Sequence, residues 1–259
     1  MPQLTIITIN YNNKVGLQKT IESVINQTWQ DFEYIIIDGG STDGSKALLE
    51  SYDKNIDYWV SEPDKGIYNA MNKGIEKASG EYLLFLNSGD CFFSTTVLQQ
   101  NHDLIADFDL IYFDIQFVED IKSRVVSYPH ILCFSDFLMG SLPHPSTMIK
   151  ASLFSTIGLY DENLTIVSDW KFFLVALFKY NCTYLCVNQT LSVFYLDGIS
   201  SNLSNQKIQI DEREEVLNSD FKNLIADLKE LNKLRTIVSG LRNSKKIAWL
   251  VKLGLIHKF

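Results

Sequence analysis

Three aspartates occupy positions from which a carboxylate could do chemistry. Asp38 and Asp90 each follow a short apolar run, and Asp169 begins a helical pattern. A carboxylate at the end of a strand, flanked by small residues, suits a hard divalent metal ion, and such an ion also binds phosphate-bearing ligands. Each residue has a simpler interpretation as well: Asp38 and Asp90 are typical of turns, and Asp169 complements a helix dipole. Three such residues in one architecture favour the chemical interpretation.

Two common phosphate-binding motifs are missing from the sequence. The residues after the first predicted strand, Asn10 to Asn13, include no glycine, and the segment that begins at Asp38 is not Gly-x-Gly-x-x-Gly. The sequence has no Gly-Lys-Ser/Thr loop either. A nucleoside would instead stack on Tyr11 and hydrogen-bond to Asp38, while a metal ion would hold its diphosphate.

Apolar runs alternate with helical patterns through the first half of the chain. Strands are predicted at 4–9, 34–37, 56–60 and 82–86, and helices at 17–25, 45–52 and 67–78. This alternation predicts an α/β fold with a mostly parallel sheet flanked by helices. Ligands of such sheets bind beyond the carboxyl ends of the strands. The polar segments after the first, second and fourth strands are therefore expected to meet there.

The second half of the chain is less regular. Strands are predicted at 110–117 and 124–128, paired as a hairpin, and at 183–187 and 191–195, with a helix at 169–178. Residues 143–147 are predicted to be a loop, because Pro143 and Pro145 disfavour a helix there. From Asn205 onward the pattern is helical, so residues 205–259 are expected to be a helical extension of the main domain, residues 1–204.

Charge is distributed unevenly along the chain. The net charge is −8, yet residues 231–259 contain seven Lys and Arg and no Asp or Glu. The overall acidity argues against a nucleic-acid partner. Trp249 and aliphatic residues interleave with the lysines of this tail, a pattern that suits either an anionic membrane surface or packing on protein. No apolar run approaches the roughly 20 residues of a membrane span.

Several ordered motifs resemble glycosyltransferase family 2, whose members have the GT-A fold. They are Thr8-Ile9-Asn10-Tyr11-Asn12, Gln27-Thr28, the segment from Ile37 to Gly44, the segment from Ser61 to Gly74, and Phe85-Leu86-Asn87-Ser88-Gly89-Asp90. The resemblance covers roughly residues 3–200 and is strongest to the bacterial enzymes of O-antigen and capsular polysaccharide synthesis. It implies a nucleotide-sugar-binding half at 1–90 and an acceptor-side half at 91–204.

The resemblance also implies a function for individual residues. Asp169 matches the catalytic base, and Asp90 matches the aspartate that binds Mg²⁺ or Mn²⁺, although Gly89 leaves its motif without the partner carboxylate. The family's usual second aspartate after Asp38 is replaced by Gly39. The positions that match donor-binding residues are Thr8, Asn10, Tyr11, Asp38, Lys65, Asn69, Asn72 and Asn87. His144 matches a recurrent histidine near the active site, and Trp170 lies beside the expected base.

The implied reaction is inverting transfer of a hexose or N-acetylhexosamine. The expected donor is a nucleoside diphosphate sugar with UDP as its nucleotide, and the expected acceptor is a glycan or a polyprenyl-diphosphate-linked sugar. A sugar nucleotidyltransferase and a non-catalytic sugar- or partner-binding module are the alternatives. The expected location is the cytoplasm, with peripheral contact of residues 231–259 on the inner face of the plasma membrane as a further hypothesis.

Overall fold

The computed structural model describes residues 2–119, 121–195, 205–242 and 244–252. The chain divides into two compact units, Met1–Gln209 and Ile210–Phe259. The first unit contains all the strands of the described residues.

The strands form one mixed sheet. They are β1 (Leu4–Asn10), β2 (Phe32–Asp38), β3 (Tyr58–Ser61), β4 (Tyr82–Phe85), β5 (Cys91–Phe92), β6 (Leu110–Glu119), β7 (Lys122–Val126), β8 (Thr147–Lys150) and β9 (Tyr184–Tyr195). Their order is β3-β2-β1-β4-β8-β6-β9-β5, with β7 paired to β6. The four strands β3, β2, β1 and β4 are parallel, whereas β8 is antiparallel to both β4 and β6. Two antiparallel steps make β6 run in the same direction as β4.

Ten α-helices are present in the described residues. They are α1 (Lys14–Ile25), α2 (Ser45–Ser51), α3 (Ile67–Lys77), α4 (Val97–Asn101), α5 (Phe134–Met139), α6 (Ser152–Ile157), α7 (Ser168–Phe178), α8 (Gln206–Asp220), α9 (Lys222–Arg242) and α10 (Lys245–Lys252). None of them is long and apolar enough to cross a membrane. The α/β prediction and the helical prediction after Asn205 are confirmed, while residues 253–259 of the predicted tail lie outside the described residues.

The sheet is covered by helices on both faces. β1 is buried along its whole length, so its alternating side chains face both helical layers. Ile6 packs in one cluster with Leu17 of α1 and Leu49 of α2. On the opposite face, α3 comes so close to β1 that a Cβ atom on Gly74 would lie 2.6 Å from Ile7. The sheet therefore lies between two helical layers, which leave its carboxyl edge to carry a site.

The second half of the chain differs from the sequence prediction in three places. The two strands predicted at 183–187 and 191–195 are one strand, β9, because a bulge opposite Asp114 absorbs the intervening residues and the pairing continues. The predicted loop at 143–147 contains a 3-10 turn at His144–Ser146, since Pro145 stands at its start, where no N–H is needed. It leads into β8, a strand that the sequence pattern did not predict.

Candidate active site

A cavity of about 720 Å³ opens at the carboxyl ends of β1, β2 and β4. Its lining comes from the turns after these strands, from the loop before α3 and the start of that helix, and from the residues before α7 and at the end of β9. Asn10, Tyr11, Asn87 and Asp90 all line it. The structure thus brings together the polar segments that the sequence predicted to meet. Its volume is within the range usual for small-molecule sites.

Asp38 lies behind the cavity wall and organises it. Its carboxylate accepts hydrogen bonds at 2.6 Å from Asn10 Nδ2, Ser41 Oγ and Ser61 Oγ, and at 3.0 Å from the Ser41 backbone N–H. Burial raises the pKa of the Asp38 carboxyl, but these hydrogen bonds outweigh it and hold the pKa below its ordinary value. The side chain is fully buried. Asp38 therefore ties β1, β2 and β3 together beneath Gly39 and Gly40, and its predicted nucleoside contact stays a prediction.

Thr8 and Asn10 differ in how they relate to the cavity. The Thr8 hydroxyl is fully buried, donates to the Leu86 carbonyl at 2.7 Å and lies 3.1 Å from the Tyr34 hydroxyl. Asn10 lines the cavity, and its buried Oδ1 has no hydrogen-bond partner among the described residues. Buried polar atoms are usually paired. Asn10 is thus the better placed of the two predicted donor-binding residues to receive a ligand hydrogen bond.

The turn Asn87–Asp90 forms another part of the cavity wall. The Asp90 N–H donates to the Asn87 carbonyl at 2.9 Å, Gly89 has a φ of 109°, and Thr20 Oγ1 donates to the Asp90 carbonyl at 2.7 Å. Oδ1 of Asn87 is buried without a hydrogen-bond partner among the described residues. In all the residues that the structure describes, no group of three or more His, Cys, Asp or Glu side chains is placed to hold a metal ion.

This donor set fits a divalent ion that is shared with a diphosphate. Asp90 offers a carboxylate and Asn87 offers an orphaned amide oxygen, and both residues face the cavity. Mg²⁺ typically takes one or two protein carboxylates and fills its other positions with substrate phosphates and water. The missing partner carboxylate is therefore compatible with a metal that binds together with the donor.

Asp169 stands in the first turn of α7 and is held by a tyrosine from α3. The Tyr68 hydroxyl donates to Asp169 Oδ1 at 2.9 Å. Burial, and then the negative charge of Asp169, raise the pKa of Tyr68 well above its ordinary value, so the phenol stays protonated and can donate. The Tyr68 ring lines the cavity. Tyr68 could not be recognised from the sequence, because only the approach of α3 to α7 shows what its hydroxyl contacts.

His144 and Trp170 are packed into the core beside Asp169. The His144 ring stacks on Phe85 with centroids 4.8 Å apart, and its Nε2 lies 2.8 Å from the Tyr160 hydroxyl. Trp170 is 1% exposed and donates its indole N–H to the Phe137 carbonyl at 2.8 Å. Neither residue is part of the cavity lining. Their predicted acceptor-side location stays untested, and their visible contacts are structural.

The titration of His144 should make the fold sensitive to acid. Burial lowers its pKa from the ordinary 6.5, and the nearby Asp169 charge only partly opposes this. Below about pH 6.5 the unfolded chain takes up a proton that the folded chain does not, so the free energy of unfolding falls, by at most about 1.4 kcal/mol per pH unit. We expect His144→Gln to reduce this slope between pH 7 and pH 5, measured by denaturant unfolding. Equal slopes in the two proteins would contradict the assignment.

Asn69 and Asn72 of α3 hold the loop before α7. Asn72 exchanges hydrogen bonds with the Tyr160 backbone at 2.9 and 3.0 Å, and both asparagines donate to the Glu162 carboxylate, at 3.0 Å from Asn69 and 2.9 Å from Asn72. Hydrogen bonds from Asn72 and Asn69 lower the pKa of Glu162. The Lys65 side chain is exposed and is not part of the cavity lining. Asn69 and Asn72 thus hold the loop before α7 by hydrogen bonds. Donor binding by Lys65, Asn69 and Asn72 stays a prediction.

Comparisons with known proteins now identify the family. Residues 5–143 match the family described as Glycosyl transferase family 2. A glycosyltransferase of Mycobacterium tuberculosis is 34% identical over 208 residues, which cover 78% of each chain. The chain belongs to glycosyl transferase family 2. A PGL/p-HBAD biosynthesis glycosyltransferase of Mycobacterium bovis is 28% identical over 178 residues, which cover 66% of this chain and 68% of that one.

Solved structures of glycosyltransferases share the fold. S. aureus TarS, in a structure with UDP, superimposes with a TM-score of 0.63 at 17% identity, over 74% of this chain and 60% of that chain. A mannosyltransferase of Pyrobaculum calidifontis, solved with GDP-Man and Mn²⁺, gives a TM-score of 0.60 at 14% identity, over 77% of this chain and 59% of that one. The family 2 chain therefore has a GT-A-like fold, and it spans about three fifths of these structural neighbours.

Proposed function

We propose that this family 2 protein transfers a hexose or N-acetylhexosamine, with inversion, from a UDP-sugar to an acceptor hydroxyl. One observation carries the proposal. A single cavity at the carboxyl edge of the sheet joins an exposed aromatic ring, Tyr11, to the Asn87–Asp90 turn and to Tyr68, which holds the Asp169 carboxylate. The UDP and UDP-GlcNAc bound to S. aureus TarS support a nucleotide-sugar donor of this kind.

In the proposed reaction, Asp169 is the general base. An acceptor hydroxyl attacks C1 of the donor sugar, the bond from C1 to the diphosphate oxygen breaks, and the carboxylate of Asp169 takes the hydroxyl proton. Asp169 is not itself part of the cavity lining, whereas Tyr68 is. In the proposal Tyr68 fixes the carboxylate through its hydrogen bond to Oδ1, and Oδ2 takes the proton. A single displacement of this type inverts the configuration at C1.

The departing diphosphate needs positive charge beside it. Asp90 and Asn87 would hold Mg²⁺ or Mn²⁺, which when bound supplies Lewis-acid stabilisation of the negative charge on the leaving group. The Mn²⁺ in the Pyrobaculum mannosyltransferase structure supports the choice of a divalent ion. Asn10 would add a polar contact to the donor through its free amide oxygen.

The experiment that tests this function is a donor panel. The full-length protein is incubated with UDP-, GDP- and TDP-sugars, with Mg²⁺, Mn²⁺ or EDTA, and release of nucleoside diphosphate is measured with and without polyprenyl-linked sugar acceptors. We expect metal-dependent release from a UDP-hexose or UDP-N-acetylhexosamine. A protein that binds and turns over no nucleotide sugar contradicts the proposal.

The acceptor and the pathway rest on narrower support. A glycan or polyprenyl-diphosphate-linked acceptor in O-antigen or capsule assembly is supported by the sequence resemblance alone. The Mycobacterium bovis relative is named for PGL/p-HBAD biosynthesis instead. We therefore propose a surface glycan or glycolipid acceptor and leave the choice to the acceptor arm of the panel.

A membrane-bound acceptor would place the basic tail at an anionic surface. Trp249 of α10 is 61% exposed, as expected of a residue that inserts into a membrane interface. We expect the full chain to float with phosphatidylglycerol vesicles at low salt, and Lys245→Glu/Lys246→Glu/Lys252→Glu to lose most of this binding. Lys46→Glu/Lys54→Glu/Lys122→Glu changes three exposed lysines outside the tail, and it is the control with the same change in charge. Equal flotation of the wild type and the triple variant rejects the membrane contact.

A further inference from the structure

The turn after β2 contains Gly39 at the position where members of the family usually have a second aspartate. A Cβ atom built on Gly39 would lie only 2.4 Å from Asp64 Oδ2 and 3.1 Å from Asp64 Cγ. The Asp64 carboxylate thus occupies the volume that a side chain at position 39 would need. A carboxylate is present at this point of the cavity wall, but it comes from the loop between β3 and α3.

The surroundings of this carboxylate form a slot. The same Cβ position on Gly39 lies 3.2 Å from Cδ2 of Tyr11, whose ring is 67% exposed. Tyr11, Gly39, Pro63 and Asp64 all line the cavity. A flat ligand that stacks on the Tyr11 ring would therefore meet the Asp64 carboxylate at its edge.

Asp64 is held in place while keeping one oxygen available. Its Oδ1 accepts a hydrogen bond from the Gly66 backbone N–H at 2.9 Å. Among the described residues, no donor is seen for Oδ2, the oxygen that lies over Gly39. A carboxylate oxygen is an acceptor only, so its natural ligand partner is an N–H or O–H group.

We infer that Asp64 reads the nucleobase of the donor, in place of the aspartate that is missing at position 39. This inference rests on the proposed nucleotide-sugar donor. Uracil presents a ring N–H at its Watson–Crick edge, and guanine and thymine do the same, whereas cytosine and adenine present a bare ring nitrogen that repels a carboxylate. Asp64 therefore selects bases that carry a ring N–H, and disfavours CDP- and ADP-linked donors.

Nucleotide binding to the full-length protein tests the inference without requiring turnover. UDP and CDP differ only in the base, at ring nitrogen N3 and in the carbonyl or amino group at C4, and share the ribose and the diphosphate. The ratio of their dissociation constants therefore isolates the base. By calorimetry in Mg²⁺ we expect the wild type to prefer UDP by at least about tenfold. In Asp64→Ala, UDP binding should weaken by roughly ten- to a hundredfold, because the ring N–H of uracil loses its hydrogen-bond acceptor. CDP binding should change little, because cytosine has no ring N–H to leave unpaired.

A relocation experiment makes the test sharper. Gly39 is not among the glycines with positive φ, so an aspartate can stand there once Asp64 is removed. The double variant Gly39→Asp/Asp64→Ala should recover at least half of the wild-type preference for UDP over CDP, expressed as the logarithm of the ratio of dissociation constants. Gly39→Asp alone should bind UDP more weakly than the wild type, because its side chain meets the Asp64 carboxylate. Asp64→Asn keeps the shape and an acceptor for the Gly66 N–H, and it should lose the preference as well.

The controls separate this inference from the proposed function. Glu62→Gln changes a carboxylate in the same loop that pairs with Lys73 at 2.8 Å and does not line the cavity, and it should leave the UDP to CDP ratio unchanged. Folding of each variant is checked by its melting temperature. If the wild type binds UDP and both Asp64 variants keep its preference over CDP, the inference is wrong and the proposed function stands. If the wild type binds no nucleoside diphosphate, both are wrong.

Discussion

Replacing Asp169 by asparagine is expected to lower kcat by about 10²–10⁴-fold, because general-base assistance is typically worth that much. Asparagine has the same shape and can still accept the hydrogen bond from Tyr68 that the structure shows at 2.9 Å. Donor affinity, measured by calorimetry with the nucleoside diphosphate, should therefore stay within about twofold of the wild type. A variant that turns over at the wild-type rate would remove Asp169 from the reaction.

Two further variants are compared with Asp169→Asn. Tyr68→Phe removes the hydroxyl that positions Asp169 and leaves the ring in the cavity wall, and we expect a smaller loss in kcat, roughly tenfold, with KM nearly unchanged. Asp103→Asn is the matched control, since this exposed aspartate lies outside the cavity lining and, among the described residues, its one ion pair is with His102. Asp169→Asn should thus be the most damaging of the three, and Asp103→Asn should be silent.

Replacing Asp90 by asparagine is the second change with a large expected effect. Asp90 is the carboxylate of the Asn87–Asp90 turn in the cavity wall, and Asn87, three residues earlier, supplies a neutral amide oxygen. Loss of that charge should abolish the metal-dependent part of donor binding. In calorimetry, Mg²⁺ or Mn²⁺ should strengthen UDP binding to the wild type by about tenfold or more, and should leave the variant nearly unaffected.

The outcome for the wild type alone is already decisive. If UDP binds equally well with metal and with EDTA, the metal function of Asp90 is wrong, whatever the variant does. Asn87→Ala should give a smaller loss of the metal effect than Asp90→Asn, because a neutral oxygen contributes less to a hard cation than a carboxylate does. The melting temperature of each variant checks that the protein is still folded.

Much of the fold could be predicted because strands and helices leave a local pattern. The β-branched run at β1 and the helical spacing in α1 and α3 report burial against the sheet. Burial on two sides is why β1 carries no charged residue and why even its Thr5 and Thr8 side chains are fully buried. The second half was harder. β9 continues through a bulge that looks like a break in the sequence, and β8 has only four residues, so its pairing with β4 and β6 depends on partners far along the chain.

The carboxyl edge of the sheet shows the same division. The sequence located Asn10, Tyr11, Asp38, Asn87 and Asp90 at the strand ends, since the end of a strand is a local property. It did not show that the Asp38 carboxylate accepts its hydrogen bonds from Ser41, Ser61 and Asn10. Which side chain faces a ligand and which supports its neighbours depends on the packing of three strands together.

By itself, then, the sequence determined an α/β protein whose polar strand ends converge and whose aspartates suit a cation-assisted reaction. Only the tertiary structure decided that Tyr68 holds Asp169, that Asn69 and Asn72 clamp the loop at Glu162, and that Asp64 fills the space left by Gly39. The physical reason is the range of the interactions. Hydrophobic periodicity involves residues that are close in sequence, whereas each of these contacts joins residues 25 to 101 positions apart. Such residues meet only when the sheet and its helices have assembled.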